Sequence, residues 1–371
     1  MIITTVRCFL ITLTFLGGYL IHGFSSRNGF YGAVTRLTEQ RIVHDGTPYT
    51  NTFTGIAALD GTLSTLLTFF WPVVDGNNPG LSLACFLFAG QFVAAWTVTI
   101  IEGLRTGKTW RLASFTTIYG LLVQTTGAAL MTPAWTALHL FATPTVSRPS
   151  IDTLSVPESS LRALPYSITL GFIAPSIAMS LPTPGLISQQ NRIYAICIWQ
   201  AFPLWNTVFP GKSNTTSTKN QHAQQLRLLR HCYIFALSIA STVQIATLTL
   251  SFSALLFPGL FTLITAQQLH PRNLFIPPNP FRSSKISGIS QGAFWFIQFD
   301  CWTTSIAYFI WGLALRYAGK ESRGYGGSLM DVVVRPLGLG FMGAGLSFVW
   351  ERDEMVFAGG NEGGKRRVKV L

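Results

Sequence analysis

Apolar stretches of about 20 residues recur along this chain, each long enough to cross a hydrocarbon core roughly 30 Å thick. Such a core holds no water for the backbone to bond, so an isolated stretch can satisfy its own N–H and C=O groups only as a helix. The runs at 8–24, 54–74, 81–104, 112–131, 164–181, 193–209, 232–252 (extendable to 265), 291–316 and 332–350 meet this condition. Only 11% of the residues are charged, against roughly 25% in an ordinary soluble domain, and the mean hydropathy is +0.39. The expected fold is therefore all-α, a polytopic transmembrane helical bundle of about 7–9 spans. Residues 1–355 are expected to form one membrane domain, with 356–371 as a flexible basic tail.

Arg7 ahead of the first run also suits a signal peptide. The segment from Leu20 to Ser26 offers no clean small-x-small cleavage site, so that helix is expected to be retained. The net charge is +12, but the basic residues are spread over loops, and the largest cluster is the short tail Lys365-Arg366-Arg367-Val368-Lys369. Nucleic-acid binding wants a concentrated basic face, so none is expected; the charges read as flanks of membrane spans. By the positive-inside rule the tail and the loops at 25–53, 105–111 and 272–285 are placed together on a cytosolic face. Asn214-Thr215-Thr216, a glycosylation acceptor, then faces the lumen, which suits the endoplasmic reticulum.

The five cysteines and six histidines are scattered, without metal-ligand spacing, so no metal or other cofactor is expected. Nucleophile-elbow, Walker and dinucleotide-binding motifs are absent. So is any aspartate-rich run able to hold magnesium against a prenyl diphosphate, which disfavours diphosphate ionisation. Proton-initiated chemistry at a buried acid survives this elimination, as does a non-catalytic membrane role.

Asp300 is the strongest candidate acid. It lies about ten residues inside the apolar run 288–315, where no water holds its charge, and an intramembrane carboxyl is by default a functional position. Asp60, Ser64, Thr68 and Trp71 form a polar-aromatic stripe at helical spacing, and Gln91, Ala95, Thr99 and Glu102 form a second. The turn Asp75-Gly76-Asn77-Asn78-Pro79-Gly80 makes those two helices antiparallel, which sets Asp60 and Glu102 at similar depth. With Asp300 entering from the same face, the three are expected to converge. Each also has a plainer use: Glu102 pairs with Arg105 three residues on, Asp60 reaches the interface, and Asp75, a reserve candidate, suits its turn by backbone geometry alone. Trp71, Phe296, Phe299 and Trp302 are candidate cation-stabilising rings, worth roughly 0.5–2 kcal/mol each, although aromatic stripes at helical spacing commonly serve packing.

Asp45-Gly46-Thr47-Pro48-Tyr49-Thr50, then Phe53-Thr54-Gly55-Ile56-Ala57-Ala58-Leu59-Asp60 and Phe69-Phe70-Trp71-Pro72-Val73-Val74-Asp75-Gly76, resemble the fungal integral-membrane terpene cyclases of the ascochlorin/ascofuranone and macrophorin type. The segments are also similar to related membrane proteins of indole-diterpene clusters. The likeness is most specific over 28–111 and only topological after about 160. It implies an enzyme that protonates a terminal epoxide or olefin on a prenylated aromatic, polyketide or indole-diterpene core and cyclises the chain. A hydrophobic prenylated substrate, the lipid bilayer, and an upstream epoxidase and prenyltransferase are then the implied partners. A carrier or scaffold protein of such a pathway is the other class left open.

Overall fold

The computed structural model describes residues 2–106, 115–207, 219–318 and 329–367. Helices α1 (Ile2–Asn28), α2 (Phe30–Gln40), α3 (Ala57–Val74), α4 (Pro79–Leu104), α5 (Thr116–Thr126) and α6 (Ala128–Ala142) make up the first half. They are followed by α7 (Ile151–Ser180), α8 (Gln189–Trp199), α9 (Lys219–Leu256), α10 (Leu263–Leu269), α11 (Pro271–Phe275), α12 (Ile289–Ala318) and α13 (Met330–Ala358). The last helix runs on to Arg367, into the stretch expected as a tail. No strand occurs among the described residues, in line with the all-α expectation.

Six of these helices are long and apolar enough to cross a membrane: α1, α3, α4, α7, the greater part of α9, and α13. α12, at 30 residues and so about 45 Å, is long enough. It is more polar than the six because Gln298, Asp300, Thr303, Thr304 and Ser305 are all buried against other helices. Three expected spans are not single helices, and one of them, 332–350, is interrupted at Gly340. The run at 112–131 breaks at Gly127 into α5 and α6, and the run at 193–209 stops at Trp199 before a 3-10 turn, Phe202–Thr207. Proposed continuation of the 232–252 span ends at Leu256, where Phe257 leaves the helix.

α4, α12 and the second half of α13 form the centre. α4 and α12 run in the same direction, since Thr99 Oγ1 meets the Tyr308 hydroxyl at 2.5 Å while the start of α4 and residue 298 both reach the 268–275 segment. α12 and α13 approach at Gly312 and Gly345, where a Cβ on Gly312 would lie 2.3 Å from the Gly345 carbonyl oxygen, so only glycine permits this contact.

α13 is not a straight span. Gly340 has φ 71° and ψ 167°, and the chain folds back there. Arg316 pairs with Asp331 at 3.0 Å and with Glu351 at 2.9 Å, and Arg335 pairs with both as well. Asp331 and Glu351 would be about 30 Å apart on a straight helix, so sharing two arginines requires a hairpin. Gln91, midway along α4, fills the break by donating to the Leu339 carbonyl at 3.0 Å and accepting from Gly343 N–H at 3.3 Å.

This hairpin corrects the expected faces. Arg105, Ser155, Gln225 and Arg352 gather at one end of the bundle, the Glu102 end. Arg27, Pro280 and Lys285 meet at the opposite end, where the Asp75 turn lies. Loops 25–53 and 272–285 therefore lie across the bundle from the end of α4 and the end of α13. Asn214 lies outside the described residues; Gln225, early in α9, is at the Glu102 end.

Candidate functional site

Gly127 joins α5 to α6 with φ 86° and ψ 149°, a conformation open essentially to glycine alone. A break there strands the last carbonyls of α5 and the first amides of α6 inside the bundle, and buried backbone groups must find partners. Side chains from elsewhere supply them. Ala129 N–H donates to Asp300 Oδ1 and Ala128 N–H donates to the same carboxyl, and His22 Nε2 donates to the Thr126 carbonyl at 2.8 Å. His22 lies in a π-helical turn, Tyr19–Gly23, a type of distortion frequent at functional sites. Its Nδ1 is 2.5 Å from the Tyr31 hydroxyl.

Asp300 is 5% exposed, and its carboxyl accepts from the Ala128 and Ala129 amides. Burial disfavours its charge while the amides at the start of α6 favour it, an opposition that suits a carboxyl required to release and regain a proton. Burial, and then the Asp300 charge, push the Tyr31 phenol up to about 12, so it stays protonated. One turn beyond Asp300, on the same face, the buried Thr304 hydroxyl has no hydrogen-bond partner among the described residues.

The Phe296 ring, one turn before Asp300, lies 5.2 Å from Phe69, 6.3 Å from Phe30 and 6.5 Å from His22. Tyr31, Phe69, Phe296 and Gly127 all keep partial exposure, so Asp300 lies directly beneath groups reachable from outside the bundle. The other expected rings diverge. Phe299 packs with Ile21, Phe24 and Ala129, and Trp302 turns away to donate to the Phe275 carbonyl at 2.7 Å. Trp71 donates to Asp45 at 2.9 Å beneath the Arg192 guanidinium. Neighbours surround α12 on several sides, so one stripe on its sequence is shared among different surroundings.

The carboxylates also stay apart. Asp60 is wrapped by the N–H groups of Phe53, Thr54 and Gly55 and by the Thr54 hydroxyl, which tie the 53–55 loop to the first turn of α3. Glu102 bonds Arg105 at 2.7 Å, as its spacing suggested, and also Arg352 at 2.6 Å and His139 at 3.1 Å. Asp353 completes this cluster by pairing with both arginines. His139 in turn accepts from Trp311 N–H, and Trp311 is about 16 Å beyond Asp300 along α12. The three acids share no partner, because α12 enters from the Asp75 end and not from the end that Glu102 occupies. Asp75 closes its turn on Asn77 N–H at 2.9 Å and pairs with His44 at 2.9 Å.

A cavity of about 80 Å³ lies on another face of α12, lined by Gln91, Gln298, Cys301 and Trp302 among others. It is small beside the ~300 Å³ at which ligand pockets usually begin. A groove of about 560 Å³ between α9 and α13, against Leu237, Arg335 and Trp350, contains none of the expected residues. His22 and Tyr31 escaped the sequence reading, since nothing in their spacing links them to residue 300. The one available signal was Gly127 in the middle of an apolar run.

A family model described as the CtvD domain matches residues 6–357. The terpene cyclase ascI of Acremonium egyptiacum is 34% identical over 367 residues, covering 95% of this chain and 93% of that protein. The terpene cyclase ctvD of Aspergillus terreus is 27% identical over 358 residues, covering 93% and 98%. The terpene cyclase penA of Penicillium crustosum is 27% identical over 312 residues, covering 82% and 83%. No solved structure matches the chain.

Proposed function

The chain belongs to the CtvD-domain family, and from that membership together with the Asp300 site we propose that it is a membrane-bound terpene cyclase of fungal secondary metabolism. Asp300 is its Brønsted acid. Protonated, it delivers its proton to a terminal epoxide oxygen or olefin carbon of a prenylated aromatic, polyketide or indole-diterpene substrate. The resulting cation is drawn along the chain by attack of successive double bonds. Phe296, Phe69 and Phe30 present ring faces and edges near the acid, and the surrounding apolar helices keep water from the cation. The α6 amides then hold the carboxylate left behind.

The observation that carries this reading is a buried acid held at a helix N-terminus, beneath a partly exposed aromatic cluster. Asp60, Glu102 and Asp75 serve as anchors, since each is bound to several donors. The protein is expected in the endoplasmic reticulum membrane, where a prenyltransferase and an epoxidising monooxygenase supply its hydrophobic substrate. Asp300→Asn preserves the shape and removes the acid. Microsomes carrying it should convert substrate at least about a hundredfold more slowly than wild type, the lower range for general acid catalysis. Turnover at the wild-type rate would remove Asp300 from the mechanism.

A further inference from the structure

We propose that Tyr31, backed by His22, takes up the proton shed by the last carbocation; this rests on the reading of Asp300 as the acid. The Thr126 carbonyl can only accept. His22 Nε2 must therefore carry the hydrogen shared with it. In the neutral ring Nδ1 then holds a lone pair, and the Tyr31 hydroxyl 2.5 Å away must donate to it. The Tyr31 oxygen keeps lone pairs of its own, on a partly exposed residue whose ring packs against Phe30, which in turn packs against Phe296.

Asp300 and the His22–Tyr31 pair thus hold the two sides of one helix break, the acid on the amides of α6 and the imidazole on the last carbonyl of α5. A substrate end lying against Phe296 meets a donor on one side and an acceptor on the other. The rival acceptors are committed elsewhere. Glu102 is enclosed among two arginines and His139, and Asp60 accepts from four donors.

In the terminating step a C–H bond beside the cationic carbon breaks, and its electron pair becomes the new C=C bond. The proton goes to the Tyr31 oxygen as the Tyr31 proton passes to His22 Nδ1. The imidazolium so formed still donates from Nε2 to Thr126. Reversal of the relay returns the proton through Tyr31 to the Asp300 carboxylate, so acid and base are both restored and no co-reactant is consumed. Tyr31 is the group that meets the substrate, and His22 acts through it.

The test uses microsomes containing the full chain and, as probe, a phenol bearing a farnesyl chain with a terminal epoxide. Tyr31→Phe and His22→Gln should consume the probe more slowly than wild type but measurably, since Asp300 still delivers its proton and only its reloading loses the relay. Their products should shift from one alkene towards water-quenched alcohols and other alkene isomers, a change that loss of packing alone does not select. Asp300→Asn should leave the probe unconsumed. An unchanged product ratio in both variants overturns the role of the pair and leaves the acid standing. Failure of both variants to accumulate makes the pair structural and also overturns it. Full turnover by Asp300→Asn, or no conversion by the wild type, overturns the underlying reading instead.

Discussion

Glu102 shows how much of a residue's role lies beyond its neighbours in sequence. Its bond to Arg105 was legible at i+3, but His139 and Arg352 reach it from positions 37 and 250 residues away, and no pattern announces them. Two carboxylates and two guanidiniums balance in a cluster shielded from solvent. Glu102→Gln leaves two arginines facing one carboxylate, and breaking a buried pair in this way costs about 3–5 kcal/mol. The variant should melt at a lower temperature in detergent, and the turnover of the folded fraction should be preserved. Lost turnover at wild-type stability would instead make Glu102 a proton-transfer residue. Asp300 differs because its position was legible from burial alone, and the α6 amides that hold it were not.

At the scale of elements, the two glycine breaks decide the architecture. Gly127→Ala forces a side-chain-bearing residue into a glycine-only conformation, at about 1–3 kcal/mol, and its Cβ would lie 2.5 Å from Ile21 Cδ1. Relaxation must move the α6 amides away from Asp300, so both melting temperature and turnover should fall together. A variant equal to wild type in both would show that the break is incidental. The loop after α2 is held by a milder device, the His44–Asp75 pair. The Asp75 hydrogen bond raises His44 above its ordinary 6.5, so its share of stability is full below 6.5 and is lost as pH rises through the raised value. Burial alone would raise Asp75, but the bonds from His44 and Asn77 outweigh it and hold the carboxyl below its ordinary 3.8. Its share is present above 3.8 and is lost as pH falls through the lowered value. The pair therefore works best between those two values. His44→Asn should lose at most about 1 kcal/mol there, with the difference from wild type shrinking as pH rises through the raised His44 value; a constant difference across pH would show that the ion pair contributes nothing.

For the whole molecule, the hairpin at Gly340 brings the end of α13 to the same side as the start of α9, so an Asn214 sugar and a cytosolic tail exclude each other. The described basic residues at the Glu102 end, among them Arg148, Arg230 and Arg316, favour the cytosol for that end. A C-terminal tag should be digested in sealed microsomes, and gel mobility should not change on glycosidase treatment. A protected tag together with a glycosidase-sensitive band would place that end in the lumen. Glycosylation with an exposed tag would contradict the hairpin. Composition and run length alone determined that the chain is a helical membrane protein and that Asp300 is buried in it, because helix formation in hydrocarbon is imposed segment by segment on the local backbone. Only the tertiary structure decided that Asp60, Glu102 and Asp300 stay apart, that an apolar run folds back at Gly340, and that His22 and Tyr31 join Asp300 around Gly127. Those outcomes depend on which helix ends share a side of the bundle and which stranded backbone groups a distant side chain can reach, and neither is encoded in the spacing of one segment.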